Sequence, residues 1–298
     1  MSEVIERAYA KLNVCLRVLG RRDDGYHDLE SLILPLELHD TVTVEPAETF
    51  SVTDEGARAG ELAAAGGETR VAKAAEIAAR RADRAAASAR VVIQKRVPVA
   101  AGMGGGSADA AALLRALGSL WGLPQGALAE VAAEVGSDVP ALLAPEAVFV
   151  RGRGDRVAPV HAQPTIWVVA PLPFRVRTPD AYAWWDEAPV TGSDPGATVG
   201  ALETGRLERL GEALFNDLQF GVAQRHPQVT EAIEAFTIAG ALGAIMTGSG
   251  PTVVALVSGE EHAQSLANAV PGSFVTTGPP RTMGYRSGVD SLPTGLET

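Results

Sequence analysis

The sequence predicts an α+β protein organised as two domains. Three observations carry that prediction. The length of 298 residues corresponds to roughly two domains and is ample for buried cores. Segments that alternate apolar and polar residues with period two are interspersed with Gly- and Pro-free stretches of good helix formers. A dense glycine cluster lies between a strand-like and a helix-like segment near residue 100. The expected division is residues 1–157 and 158–298, with a frayed tail from about 278.

The elements follow in order. Residues 3–19 read as two short extended segments, with Val, Ile, Tyr, Leu and Val alternating with polar positions. A polar, glycine-bearing loop follows, running to Leu29. Residues 30–46 read as extended again, and Asp40 to Glu45 alternates with period two. Residues 54–69, rich in Gly, Ala and Glu, read as a surface loop. The Ala- and Arg-rich stretch 70–89 predicts a helix whose arginines form a solvated face. A strand at 90–97 leads into the glycine cluster, and helices follow at 107–121 and 124–135. In the second part, 166–170 reads as a buried strand, and Pro and Gly limit 171–204 to short helices. Helices fit 206–215 and 227–239, and strands at 241–247 and 252–257 bracket a Gly-Ser-Gly turn. A helix at 260–269 and a strand at 273–277 complete the pattern.

Composition removes several function classes. Lys plus Arg is 25 against 36 for Asp plus Glu, a formal net charge of -11. A nucleic-acid binder needs a basic face, so no nucleic-acid partner is expected; a local pocket can still take a small anion. The single cysteine, Cys15, leaves no disulfide framework and no multi-Cys metal site, which suits a reducing cytoplasm. The N-terminus lacks a basic region followed by an apolar core, and no run of 18 apolar residues exists. Neither a signal peptide nor a membrane partner is expected.

The cluster Pro98-Val99-Ala100-Ala101-Gly102-Met103-Gly104-Gly105-Gly106-Ser107-Ala108 holds the chemistry. Four of the five positions from 102 to 106 are glycine, more than a tight turn needs. Glycine permits positive φ and close backbone approach to a ligand. Successive N–H groups at the start of a helix, aided by its dipole, bind phosphate, and Ser107 can cap the helix or donate to an anion. The Walker spacing is absent, and the dinucleotide fingerprint is not clear.

This stretch resembles the second motif of the GHMP kinases, which runs Pro, three variable residues, Gly-Leu-Gly, then small residues and Ser. Met103 stands where Leu is usual, and Ala101 where Gly is frequent. Ala8-Tyr9-Ala10-Lys11-Leu12-Asn13 resembles the superfamily's first motif, and Leu242 to Pro251, containing Thr247-Gly248-Ser249-Gly250, resembles its third. Ala10 to Asn13, Arg22-Asp23-Asp24-Gly25-Tyr26-His27 and Gly136-Ser137-Asp138-Val139-Pro140 together resemble one branch, and Asn216-Asp217-Leu218 also fits it. That branch phosphorylates a cytidine diphosphate methylerythritol in non-mevalonate isoprenoid biosynthesis.

The resemblance runs from about residue 6 to 277. It implies a ribosomal-protein-like N-terminal α+β domain and a ferredoxin-like C-terminal α+β domain. It further implies ATP as co-substrate on residues 98–108, with Mg2+ held mostly by ATP and water. Asp138 would be the base, Lys11 would stabilise developing charge, Tyr26 and His27 would hold the cytosine, and Asn13 would contact the methylerythritol end. A kinase acting on homoserine or mevalonate, or a non-catalytic nucleotide binder on the same fold, are the rival readings. Oligomeric state stays open between monomer and weak homodimer.

The residues themselves permit those roles. Lys11 sits in an otherwise apolar strand, where a charge needs a partner or a ligand. Asp138 follows a helix among apolar residues and can accept a hydroxyl proton. Asp109 is the rival carboxylate, but its place in the first turn of a helix suits dipole stabilisation better. Thr178 reads as an N-cap with Pro179 at the first helical position. The remaining histidines show no metal-ligand spacing.

Overall fold

The computed structural model describes residues 3–56, 58–61, 67–99 and 101–281. Two mixed layers of sheet and helix make up the chain, and the strands of both sheets contribute to a shared core.

The first sheet is built on β1 (Val4–Arg21) and β2 (His27–Pro46), a long antiparallel pair. The two short segments expected over 3–19 are in fact one strand of 18 residues. Register shifts between Tyr9 and Lys11, Asn13 and Cys15, and Val18 and Gly20 interrupt its alternation, which is why the sequence reads as two pieces. At the first shift Lys11 faces Pro35, and the Lys11 N–H donates to the Met103 carbonyl instead (3.0 Å). The irregular strand therefore ties itself to the glycine loop.

The sheet continues in the order β3 (Ser51–Glu55), β4 (Ala89–Gln94), β2, β1 and β8 (Phe215–Asn216), with β5 (Ala147–Gly152) on β2 and β6 (Arg156–Val160) on β5. Helices α1 (Gly67–Arg81), α2 (Gly105–Trp121) and α3 (Gln125–Val135) cover one face. Their Ala74, Ala78, Leu113, Leu117 and Val131 pack against Val42, Val44, Val91 and Ile93 of the strands. The predicted helix over 70–89 stops at Arg81, because Asp83 takes a left-handed φ of 52° and the Arg84 N–H turns back to the Ala79 carbonyl. Strand β4 then begins at Ala89 and ends at Gln94, earlier than the expected 97.

The second sheet is antiparallel, in the order β11 (Phe274–Gly278), β7 (Thr165–Ala170), β10 (Val253–Val257) and β9 (Gly243–Met246). Six helices accompany it among the described residues: α4 (Thr178–Glu187), α5 (Gly196–Thr204), α6 (Leu207–Glu212), α7 (Gln219–Arg225), α8 (Gln228–Ile238) and α9 (Glu260–Ala269). Leu12, Leu34 and Leu36 of the first sheet share a core with Trp167, Val169, Ile245, Val254 and Leu256 of the second, and Met103 is buried in it.

Strands β3, β5, β6 and β8 and helix α7 were not expected. The expected boundary at 157/158 falls inside β6. The loop expected over 54–69 is described only in part, and the tail beyond Arg281 lies outside the described residues. Among the described residues, no helix is long and apolar enough to cross a membrane.

Candidate active site

The glycine loop joins β4 to α2. Helix α2 starts two residues earlier than expected, at Gly105, and its N-cap is Gly104 in the left-handed conformation (φ 71°). Ser107 is therefore not the cap. The Gly104 carbonyl accepts from the Ser107 and Ala108 N–H groups, both at 2.9 Å. The Gly105 and Gly106 N–H groups precede those bonds, at positions where a helix offers no carbonyl.

Strand β1 and the turn after β9 press on this loop. A Cβ on Gly104 would lie 2.9 Å from the Lys11 Cγ, and one on Gly102 would lie 2.6 Å from the Thr247 carbonyl oxygen. The turn after β9 is held by Asn216, whose Nδ2 donates to the carbonyls of Met246 (2.7 Å) and Gly248 (2.8 Å). The Asn13 N–H donates to the Thr247 hydroxyl (2.8 Å). These contacts bring the three glycine- and lysine-bearing segments of the sequence to one place.

Beside them lies a cavity of about 780 Å³. Lys11, Asn13, Tyr26, His27, Val99, Ala101, Gly102, Gly104, Gly105, Gly106, Ser107 and Asp138 all line it. Pro98, Met103 and Ala108 do not, and Ala100 lies outside the described residues. Met103 instead fills the shared core, where an unbranched thioether adapts to an irregular gap.

Lys11 is buried, and its Nζ donates to the Asn13 Oδ1 at 2.5 Å. Asp138 Oδ2 stands 3.9 Å from the same Nζ. Burial pulls the Lys11 pKa below its ordinary value, and the Asp138 charge opposes that fall. Asn13 is engaged by the protein on both sides, since its Nδ2 donates to the Ser31 hydroxyl (2.7 Å), which donates to the Cys15 carbonyl (2.6 Å). In this arrangement Asn13 orients the lysine.

Asp109, the rival carboxylate, is committed elsewhere. It is buried beneath the loop and accepts from the Lys95 ammonium (2.8 Å), which also pairs with Asp40. Burial pushes the Asp109 pKa up to about 7 against the lowering effect of Lys95. Asp40 also accepts from the N–H groups of Arg96 and Val97, at the entry to the loop.

At the far end of the cavity, His27 is buried and stacked on Tyr182, with ring centroids 4.7 Å apart and planes at 25°. Its Nε2 lies 2.8 Å from the Asp186 Oδ1. Tyr26 is about half exposed, under the Arg153 guanidinium at 5.3 Å. Burial, and then the Asp138 charge, raise the Tyr182 hydroxyl above its ordinary value. Thr178 is the first residue of α4, one position after the cap, and its hydroxyl meets the Ser249 hydroxyl at 3.0 Å.

Tyr182, Asp186, Arg153, Arg21 and Arg70 also line the cavity and were not anticipated. One signal was present. Thr178, Tyr182 and Asp186 are spaced by four and so share one helical face. Among the described residues, no group of three acidic, His or Cys side chains could hold a metal ion. The side-chain oxygens that line this part of the cavity are the hydroxyls of Ser107, Ser137 and Ser249 and one carboxylate, Asp138, a set that fits an ion carried mainly by phosphate and water.

The chain matches two family models, "GHMP kinases N terminal domain" over residues 69–145 and "GHMP kinases C terminal" over residues 198–276. A 4-diphosphocytidyl-2-C-methyl-D-erythritol kinase from Symbiobacterium thermophilum is 39% identical over 267 residues, covering 88% of this chain and 93% of the relative. The enzyme of that name from Kineococcus radiotolerans is 41% identical over 280 residues, covering 90% and 85%. A crystal structure of 4-(cytidine 5'-diphospho)-2C-methyl-D-erythritol kinase superimposes with a TM-score of 0.77 at 31% identity, covering 92% of this chain and 99% of the other. Sequence and fold agree across nearly the whole length, and the chain belongs to the 4-diphosphocytidyl-2-C-methyl-D-erythritol kinase family of GHMP kinases.

Proposed function

We propose that this protein transfers the γ-phosphoryl group of ATP to the 2-hydroxyl of 4-diphosphocytidyl-2-C-methyl-D-erythritol, a step of non-mevalonate isoprenoid precursor synthesis. The observation that carries the reading is the Lys11–Asp138 pair, 3.9 Å apart, in a cavity bounded by the glycine loop and by the His27–Tyr182 stack. One end suits a triphosphate and the other a planar base.

In this reading Asp138 accepts the proton of the acceptor hydroxyl as its oxygen attacks the γ-phosphorus, and the bond to the β-phosphate oxygen breaks to leave ADP. Half of the Asp138 side chain stays exposed, so the carboxylate is open to substrate. Lys11 places positive charge where the transferring phosphoryl gathers negative charge. The N–H groups at the start of α2, those of Gly105 and Gly106, bind the phosphates without adding charge to an acidic protein. Magnesium, when bound with ATP, neutralises the phosphate oxygens, and Ser107 is the side chain placed to help hold it. Tyr26 and His27 receive the cytosine, with Tyr182 as a further wall.

On this assignment residues 1–157 carry the phosphate loop, Lys11, Asp138 and His27, and residues 158–298 add Tyr182 and the Gly248 turn. The buried, unpaired Cys15 suits a reducing cytoplasm. A coupled ADP-release assay with a panel of acceptors tests the function. Turnover of the cytidine diphosphate substrate, with the product phosphorylated at the 2-hydroxyl, supports it. Turnover of homoserine or mevalonate instead would overturn it, as would ATP binding without any turnover.

A further inference from the structure

We propose that Asp186 is a positioning residue for acceptor recognition. It accepts the His27 Nε2–H, fixes the imidazole against Tyr182, and leaves Nδ1 as the ring's polar atom for the acceptor's base. The inference rests on the reading of His27 as part of the acceptor site.

The geometry supports it from several directions. His27 is buried, so its ring nitrogens must find partners in the protein or the ligand. An ionised carboxylate can only accept, so the 2.8 Å contact requires the proton on Nε2. Three residues of α4 act on the one ring: Tyr182 stacks on it, Trp185 meets it edge-on at 5.8 Å and 89°, and Asp186 bonds it. The spacings of three and four place them along one side of the helix. The other Asp186 oxygen stands 3.9 Å from Arg21, which lines the same cavity and offsets the carboxylate charge. His27 lies at the start of β2 and α4 lies in the second half of the chain. Asp186 thus sets the ring from a distant part of the sequence.

Steady-state kinetics of Asp186→Ala, Asp186→Asn and His27→Ala test this, varying acceptor and ATP separately. Asp186→Ala should raise the acceptor KM by about tenfold, the loss of one charge-assisted hydrogen bond, with kcat within about twofold and the ATP KM unchanged. Asp186→Asn should recover most of the loss, because its amide oxygen still accepts from Nε2–H. An unchanged acceptor KM in Asp186→Ala beside a raised one in His27→Ala would overturn the proposal alone. An unchanged acceptor KM in His27→Ala would overturn the acceptor-site reading itself. If Asp186→Ala fails to fold, the 15N resonances of His27 in the intact wild-type chain decide the matter. Protonation at Nε2 is expected, and a neutral ring protonated only at Nδ1 overturns the proposal.

Discussion

Gly102 and Gly248 meet backbone to backbone: a methyl group on Gly248 would lie 2.8 Å from the Gly102 carbonyl oxygen. The same methyl would crowd the Lys11 Nζ at 3.1 Å, and Gly248 holds a φ of 59° that side chains rarely adopt. Gly248→Ala should therefore push the phosphate loop and the lysine apart together. We expect kcat to fall by at least about tenfold and stability to drop by about 1–3 kcal/mol. Activity assays and urea melts of the variant check both, and a variant with wild-type kcat would refute the close fit.

Asp138→Asn keeps the shape of the carboxylate and removes its basicity. Turnover should fall by about 10²–10⁴-fold while ATP binding, followed by calorimetry, survives. The Lys11 pKa should fall further, because Asp138 is the group that raises it against burial. Near-normal turnover would show that another group takes the proton.

The Asp40–Lys95–Asp109 cluster predicts a pH signature in stability. Asp109 holds its proton up to about 7 in the fold against an ordinary value of 3.8. Between those values the folded chain binds the extra proton, so this group's stabilising contribution is full below 3.8 and is lost as pH rises through about 7. Asp109→Asn should flatten that limb by at most about 1.4 kcal/mol per pH unit. Urea unfolding of both chains between pH 4 and 8 measures the difference.

Cys15 should be silent toward thiol reagents in the native state. It is fully buried, and burial pushes its thiol up to about 12. Labelling with a chromogenic disulfide should become stoichiometric only in denaturant. Rapid labelling of the folded chain would contradict the packing of β1.

The parts of this fold that were legible in the sequence are those with local causes. The helix at 260–269 follows from a stretch free of Gly and Pro, the strand at 253–257 from a continuous apolar run, and the glycine loop from composition alone. Strand β5 was missed because its partner in the sheet is the distant β2, and β6, which pairs with β5 alone, is largely exposed and lacks an apolar pattern of its own. The same division holds in the site. Lys11 and Asp138 stand in recognisable motifs, whereas the Asp186 contact with His27 spans 159 positions and has no local mark. Asp109 shows the limit in the other direction. Its place at a helix start suggested a dipole role, and only folding brings Lys95 to it.

The two-residue strand β8 gives the chain a property that its two-sheet layout would not suggest. Phe215 and Asn216 run alongside Cys15 and Leu16, the Asp217 N–H reaches the Leu16 carbonyl, and the Asp217 carboxylate accepts from the Val18 N–H. The later part of the polypeptide thus completes the edge of a sheet begun by the first strand, and the Asn216 amide next to it secures the turn at Gly248. A cut in the connection at 161–164 would yield two fragments that each lack a stitch held by the other. Such fragments should fold poorly apart and regain structure on mixing, so the molecule behaves as one indivisible piece of cloth rather than as two separable units.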